Sequence, residues 1–335
     1  MSGNATFRRT AEQLFGSGLC GFLHDFPAEL DHFAGAVQGY LGSAPSIALT
    51  HTVLPYYLLF RPTQRRHDAM AALTSGRITE LKACLDISTG PSGTQCAMKA
   101  CPGCIEMDLR THGVAYWHLT HQLPGIWLCP AHGLALVCSK RSTSDRDRSR
   151  YFMPTRGDVV GEESAASLSD SAKPALAVLA RVTMSAFANA DKFVFDPDRL
   201  PETYRLALAR RGLLPNSPDL LAEFLGVIES IRYVPELAEL GTHPRHGTTQ
   251  ILRLLREQRF GGNSLHHLVF ISWLFGSWEE FSRAYEACVP ESSNLHSLDE
   301  PISCSANVSS KVFPKGLSIR AKQHRNHARG PRTNA

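Results

Sequence analysis

The sequence has 335 residues, of which 43% are hydrophobic and 20% are charged. This is the profile of a globular protein, and the length allows about two domains with a substantial core. No apolar run approaches the roughly 20 residues that a membrane-spanning helix needs, and no signal-peptide pattern follows the N-terminus. We therefore expect a soluble, cytoplasmic protein.

The net charge of +4 lies at the C-terminal end. Residues 291–335 contain seven Lys or Arg and three Asp or Glu, so residues 1–290 are neutral as a whole. A neutral body excludes nucleic-acid binding by bulk positive charge and requires a local basic patch for such a contact. The segment 291–335 is predicted to be a basic, disordered tail.

Residues 1–95 form the first predicted region, and it is helical. Apolar residues at positions 53–60 interrupt its polar stretches and indicate buried core. Helical spacing of apolar residues occurs in four stretches, at 7–15, 31–40, 69–73 and 78–85.

A polar linker is predicted at residues 139–170, and a second helical region at 171–290. Gly261-Gly262 separates two of its helices as in a helix-turn-helix unit, although the residues alone favour a plain helical bundle. The fold class is thus mainly α, with helix-turn-helix-like domains flanking a small metal-binding module. The predicted helices of the second region are 172–190, 202–211, 217–231, 248–258, 264–275 and 278–288.

The segment 96–138 carries the strongest chemical pattern. Cys101-Pro-Gly-Cys104 is followed, after 24 residues, by Cys129-Pro-Ala-His132. Two short pairs let each turn offer two donors to one ion, and three thiolates with one imidazole suit tetrahedral Zn²⁺. Four protein ligands leave no position for water, so a structural zinc ion is predicted. Gly103 and Gly133 are expected to permit the tight backbone of such turns.

Other side chains of this segment offer alternatives. Cys96 and Cys138 could substitute as ligands, but both are also readable as bystanders. The histidines between the two pairs are expected to be ordinary surface or core residues, and the two tryptophans to form the small core of the segment. These residues are His112, His118, His121, Trp117 and Trp127.

Several catalytic classes are excluded by their motifs. A nucleobase deaminase needs His-x-Glu upstream of Pro-Cys-x-x-Cys, whereas Ala100 precedes Cys101. His-Glu-x-x-His, a phosphate-binding loop with Lys-Ser/Thr and the Gly-x-Ser-x-Gly elbow are all absent from the sequence. We therefore expect a protein that is not an enzyme.

The zinc segment resembles the TniQ/TnsD family of transposition target-selection proteins. The resemblance extends upstream to residue 14 and downstream to about residue 290, and the zinc block carries its most specific part. The matching residues of the zinc block are Cys101-Pro-Gly-Cys104, Asp108, Gly113, Tyr116-Trp117, His121-Gln-Leu-Pro124 and Cys129-Pro-Ala-His132-Gly133. The other matching residues are Leu14-Phe15-Gly16, 51–57, Phe60, Leu200-Pro201, Tyr204-Arg205-Leu206, Gly212-Leu213 and 263–276.

The resemblance implies a role in targeting without cutting or joining of DNA. Such proteins recognise a DNA site or an RNA-guided nucleoprotein complex and recruit an AAA+ regulator, which brings the transposase subunits. The expected location is the bacterial cytoplasm. A zinc-stabilised protein–protein interaction module without DNA contact is the main alternative, because the body is neutral. A zinc hydrolase is a third reading, motivated only by the extra histidines.

Two groups of arginines are the candidates for DNA contact. Arg205, Arg210 and Arg211 lie on one predicted helix, although Arg205 faces a different side from Arg210. Arg253, Arg256 and Arg259 are spaced at i, i+3 and i+6, which places them on one side of a helix. A solvated helix face is the ordinary alternative for both groups.

Overall fold

The computed structural model describes residues 7–16, 26–27, 29–87, 98–139, 153–154, 170–215, 217–232, 244–256 and 263–289. Over these residues the chain forms thirteen α-helices and one two-stranded sheet, which confirms the prediction of a mainly α fold. None of the helices in these ranges is long and apolar enough to cross a bilayer. The predicted tail at 291–335 and almost all of the predicted linker lie outside the described residues.

The N-terminal part contains six helices. The four predicted helices are confirmed, the first at its predicted bounds and the other three with shifted ends, and the apolar stretch 53–60 is buried core as predicted. Helices α3 and α4 were not predicted as helices, and α3 is marked only by Pro45 and by Ser43, whose side chain accepts from the Ser46 amide. The helices are α1 (Phe7–Phe15), α2 (Leu30–Ala36), α3 (Ala44–Thr50), α4 (Leu54–Leu58), α5 (Thr63–Thr74) and α6 (Ile78–Cys84).

The middle part is built around a small antiparallel sheet. Strand β1 (Lys99–Ala100) pairs with β2 (Val137–Cys138), with Lys99 opposite Cys138 and Ala100 opposite Val137. Helix α7 (Pro102–His112) follows β1 directly, and a 3-10 turn spans Leu119–Gln122. The sheet therefore brings the beginning and the end of this segment together.

The C-terminal part contains six helices that begin and end close to the predicted positions. The helix predicted at 248–258 is displaced towards the N-terminus, since it spans Pro244–Leu254. The helices are α8 (Lys173–Ala188), α9 (Arg199–Arg210), α10 (Pro218–Ile231), α11 (Pro244–Leu254), α12 (Ser264–Phe275) and α13 (Trp278–Ala287).

Helix α12 lies at the centre of the C-terminal part. It is apolar on nearly every side, and it packs against α8, α9, α10, α13 and also α4 of the N-terminal part. A helix without a polar face must be enclosed by other elements to avoid exposing apolar surface to water. The N-terminal and C-terminal helices accordingly contribute to one continuous hydrophobic core.

Phe60 and Arg66 connect the two helical parts directly. The ring of Phe60 stacks on Phe195 and on His267, with centroids 4.8 and 4.3 Å away. The guanidinium of Arg66 donates to the carbonyls of Ala190 and Phe193, which lie just beyond the end of α8. The domain division at residues 95, 138 and 170 remains a prediction.

Candidate metal centre

Cys101 and Cys104 are placed by the beginning of α7. Cys101 is the extended residue that caps the helix, Pro102 occupies the first helical position, and Cys104 lies in the first turn. Unpaired backbone amides at a helix N-terminus favour negative charge, and this environment stabilises thiolates. Both sulfurs therefore start from a position that suits a metal ligand.

Cys129 and His132 are placed by a tight hairpin. The Cys129 amide donates to the Leu134 carbonyl at 2.8 Å, and the Gly133 amide donates back to the Cys129 carbonyl at 2.8 Å. Gly133 has a φ of +65°, a left-handed conformation that glycine adopts without strain, as predicted. The hairpin thereby turns both side chains towards the start of α7.

The four predicted ligands converge on one point. The Nδ1 atom of His132 lies 3.6, 3.4 and 3.6 Å from the sulfurs of Cys101, Cys104 and Cys129, and the sulfurs of Cys104 and Cys129 are 3.7 Å apart. A tetrahedral zinc ion with ordinary bond lengths requires about 3.6 Å between sulfur and nitrogen and about 3.8 Å between sulfurs. The separations match the edges of that tetrahedron, so the residues can hold a metal ion.

Burial and charge favour a cation at this point. The three cysteines are buried, whereas His132 is exposed. Burial, together with the neighbouring Cys129, raises the pKa of the Cys104 thiol, and burial raises the pKa of Cys101. Without a cation, the folded protein therefore favours protonated thiols at Cys101 and Cys104. A bound cation would supply the positive charge that lets them ionise.

Gly103 has a role different from the predicted one. Its φ is not in the left-handed region, but a Cβ atom at this position would lie 3.0 Å from Cγ of His132. The missing side chain therefore leaves room for the imidazole ring beside α7. The prediction of tight backbone is wrong for Gly103, because the requirement comes from a ring that lies 29 residues away in the sequence.

The three intervening histidines have separate environments. His112 is exposed at the end of α7. Nε2 of His118 donates to the buried carboxylate of Asp108 at 2.9 Å. His121 is buried with Nε2 3.8 Å from the sulfur of Cys104, and burial lowers its pKa to about 4.

Cys138 lies in β2 outside the four-residue cluster, and Cys96 lies outside the described residues. Trp127 is buried in the main core, whereas Trp117 packs half-buried against a separate small cluster. The prediction that both tryptophans form one small core of the segment is therefore correct for Trp117 and wrong for Trp127.

Lys99 is a buried residue that the sequence analysis did not single out. Its ammonium group donates to the carbonyls of Leu123 and Ile126 and lies 5.0 Å from the ring centroid of Trp127. Because these partners lie 24 to 28 residues further along the chain, no local pattern could reveal the contact. Lys99 joins the strand before the first ligand pair to the loop before the second.

The first group of predicted DNA-contacting arginines lies on and just after α9. Arg205 is paired with Glu202 at 2.7 Å and also donates to the carbonyl of Leu255. Arg211 is paired with Glu223 and lies over the ring of Trp273. Arg210 is exposed at the last position of α9.

The second group is less regular than predicted. Arg253 is exposed near the end of α11, and Arg256 is exposed two residues after the helix ends. The prediction that Arg253 and Arg256 lie on one side of the same helix is therefore wrong. Arg259 lies outside the described residues. The contact between Arg205 and Leu255 nevertheless places the end of α11 beside α9.

The fold and the site define a mainly helical protein that carries a Cys₃His cluster able to hold a metal ion. Residues 11–136 match the family model TniQ. Over 119 residues the chain is 26% identical to the transposon Tn7 transposition protein TnsD of Escherichia coli. That alignment covers 36% of this chain and 23% of the relative.

These matches confirm the TniQ/TnsD resemblance read from the sequence over residues 11–136, and the chain spans about a quarter of the length of the TnsD relative. All four candidate metal ligands lie inside residues 11–136, as does the buried stretch 53–60. The downstream blocks that carry the arginine candidates lie outside the range of the family match.

Proposed function

We propose that this protein is a transposition targeting adaptor, which recognises DNA or a nucleoprotein complex and recruits an AAA+ regulator and, through it, transposase subunits. The match of residues 11–136 to TniQ, with the complete ligand cluster inside it, carries this proposal. The name of the TnsD relative supports a role in transposition. The adaptor acts by binding and carries out no chemical step on DNA.

The metal in this proposal is a structural Zn²⁺ bound by Cys101, Cys104, Cys129 and His132. Three sulfurs and one imidazole at tetrahedral spacing suit zinc better than oxygen-preferring cations. With four protein ligands the ion has no open position for a water, which does not support the hydrolase alternative. Zinc instead ties α7 to the hairpin at Cys129.

The DNA-contacting surface in this proposal is the region where α9 meets the end of α11. Arg205 bridges α9 and the end of α11, where Arg253 and Arg256 are exposed, and Arg210 is exposed at the last position of α9. Arginines contact phosphates through charge-assisted hydrogen bonds, which position a protein on DNA without reading its sequence.

Binding of the full-length, zinc-loaded protein to duplex DNA at increasing salt tests this surface. The double variant Arg210→Ala/Arg256→Ala should bind roughly tenfold more weakly and show a shallower salt dependence, because fewer phosphates are neutralised. Arg283→Ala on α13, which removes an exposed arginine paired with Glu280, is the matched control and should bind as the wild type does.

Pull-down with an AAA+ transposition regulator tests the recruiting role. A protein that binds the regulator but shows no DNA affinity even at low salt would instead be a zinc-stabilised protein–protein interaction module. The neutral charge of residues 1–290 is the observation that favours this second function. Failure of both interactions would contradict the adaptor proposal.

A further inference from the structure

His121 lies directly behind one metal ligand without belonging to the ligand set. It sits in the 3-10 turn Leu119–Gln122, is 2% exposed, and its Nε2 atom is 3.8 Å from the sulfur of Cys104. The fourth corner of the tetrahedron is already occupied by Nδ1 of His132, which lies within 3.6 Å of all three sulfurs. His121 therefore approaches the site from outside.

A short chain of contacts holds the His121 ring in place. The ring of His118 lies 4.9 Å from that of His121 and stacks on Tyr116 at 4.4 Å. His118 is fixed in turn by its hydrogen bond to Asp108, which is buried on α7 one turn after Cys104. The helix that presents the Cys104 sulfur thus also sets the position of the histidines behind it.

The proton arrangement of His121 follows from its two ring nitrogens. Burial favours the neutral imidazole, which carries one N–H. Nδ1 is buried without a hydrogen-bond partner among the described residues, whereas Nε2 faces the sulfur. An N–H left unpaired in the interior costs more than an unpaired acceptor lone pair, so the proton belongs on Nε2.

We propose that His121 is a positioning residue of the metal centre, which donates an Nε2–H hydrogen bond to the Cys104 thiolate. Such a bond withdraws electron density from the sulfur, orients it towards the ion and offsets the burial of negative charge. His118 and Asp108 act through His121 by holding its ring at the sulfur. This inference rests on the metal site of the proposed function.

The wild-type protein provides the first test, independent of any variant. In the full-length chain loaded with zinc and labelled with ¹⁵N-histidine, NMR should show His121 protonated at Nε2 and unprotonated at Nδ1. A proton found on Nδ1 would overturn the proposal, because Nε2 could then donate nothing to the sulfur.

Variants at position 121 provide the second test. His121→Leu keeps a similar volume without a donor, whereas His121→Gln keeps an N–H group. Zinc affinity, measured by competition with a chelator, should fall about 10- to 100-fold in the Leu variant and be largely retained in the Gln variant. In the cobalt-substituted protein, the thiolate-to-metal charge-transfer band should move to lower energy in the Leu variant only. His112→Leu, at an exposed histidine of the same segment, is the matched control and should change neither quantity.

Two results would overturn the proposal. One is a Leu variant with wild-type zinc affinity and an unmoved charge-transfer band. The other is complete loss of metal from the Leu variant while His132→Ala keeps the ion, which would make His121 a ligand. If the Leu variant does not fold, the NMR measurement and the Gln variant still decide. If the wild-type protein contains no zinc, the proposed metal site itself is wrong. If the protein binds zinc but neither zinc affinity nor the charge-transfer band changes in the variants at position 121, only the role of His121 is wrong.

Discussion

The side chain of Cys104 combines features of a core residue and of a metal ligand. It is 4% exposed and belongs to the main hydrophobic core. Its sulfur contacts the sulfur of Cys129 and the ring of His132. Burial raises the pKa of its thiol, so ionisation in the folded protein requires a cation beside it. A metal ion held at this residue would therefore couple its binding to folding.

Cys104→Ser should remove bound zinc and destabilise the fold, because a hydroxyl is a poor ligand at a tetrahedral thiolate site. We expect metal content to fall from one ion per chain to near zero, and stability to drop by roughly 3 kcal/mol or more. Elemental analysis and thermal unfolding measure both effects. Cys84→Ser, at a half-buried cysteine on α6 outside the cluster, should retain the ion, and full retention in Cys104→Ser would contradict the zinc site.

His267 makes stability depend on pH at a second buried position. The residue is fully buried, its Nδ1 is 2.9 Å from the hydroxyl of Tyr204, and its ring stacks on Phe60. Burial, with smaller contributions from His266 and Arg61, lowers its pKa to about 3 from the ordinary 6.5. The unfolded chain therefore takes up this proton at a higher pH than the folded protein does.

The contribution of neutral, buried His267 to the free energy of unfolding should be fully present above pH 6.5. It should decline as the pH falls towards 3. Between pH 7 and pH 5 the wild type should lose on the order of 2 kcal/mol relative to His267→Gln. Urea denaturation of zinc-loaded proteins at both pH values measures this difference. Tyr204→Phe disturbs the same contact but keeps the histidine, so its difference from the wild type should not change with pH.

Helix boundaries depend on whether a cap is local in the sequence. Helices α10, α12 and α13 begin after Ser217, Asn263 and Ser277, whose side chains accept hydrogen bonds from amides of the first turn, and their predicted starts agree with the structure. Helix α9 has no such cap at Asp198, and its start lies three residues before the predicted one. Local hydrogen bonding thus determines which ends a sequence can define.

Ser277→Ala should destabilise the protein by about 1 kcal/mol. The Ser277 hydroxyl accepts from the Glu280 amide at 3.1 Å, and without it this amide loses its partner at the start of α13. Chemical denaturation measures the change. Ser230→Ala within α10 removes only a bond to the preceding turn and should be close to neutral. Equal losses in the two variants would show that the cap contributes nothing specific.

At the scale of the whole molecule, the metal-binding segment packs on the C-terminal helices among the described residues 7–289. Gly125 has a φ of +82°, and a Cβ atom there would lie 2.9 Å from Leu265 on α12 and 3.3 Å from Leu179 on α8. The loop that precedes Cys129 therefore packs on two helices far along the chain. With Phe60 and Arg66, this contact makes the TniQ region and the later helices one core.

Gly125→Ala should cost about 1–3 kcal/mol more than Gly113→Ala. Both glycines have left-handed backbone, but a Cβ atom at Gly113 has nothing within 4 Å, so only Gly125 adds overpacking between elements. Thermal or chemical denaturation gives the comparison, and hydrogen exchange should show α8 and α12 less protected in Gly125→Ala. Equal costs would mean that the interface adapts freely.

The sequence by itself determined the helical class, most helix positions and the four residues whose side chains converge as candidate metal ligands. These features depend on periodicity, on local caps and on two pairs whose members are three residues apart, all of which are written in short stretches. The sequence was therefore enough to predict which residues are the candidate metal ligands, namely Cys101, Cys104, Cys129 and His132.

Only the tertiary structure decided how distant residues combine. In the folded protein, His121 lies beside the sulfur of Cys104, and the ring of His132 occupies the space that a side chain at Gly103 would need. The buried ammonium group of Lys99 donates to carbonyls beyond residue 122. The tertiary structure also ended α11 before Arg256, which removed the predicted stripe. These outcomes arise from packing and hydrogen bonds between residues well separated in the chain, and periodicity within one element carries no record of them.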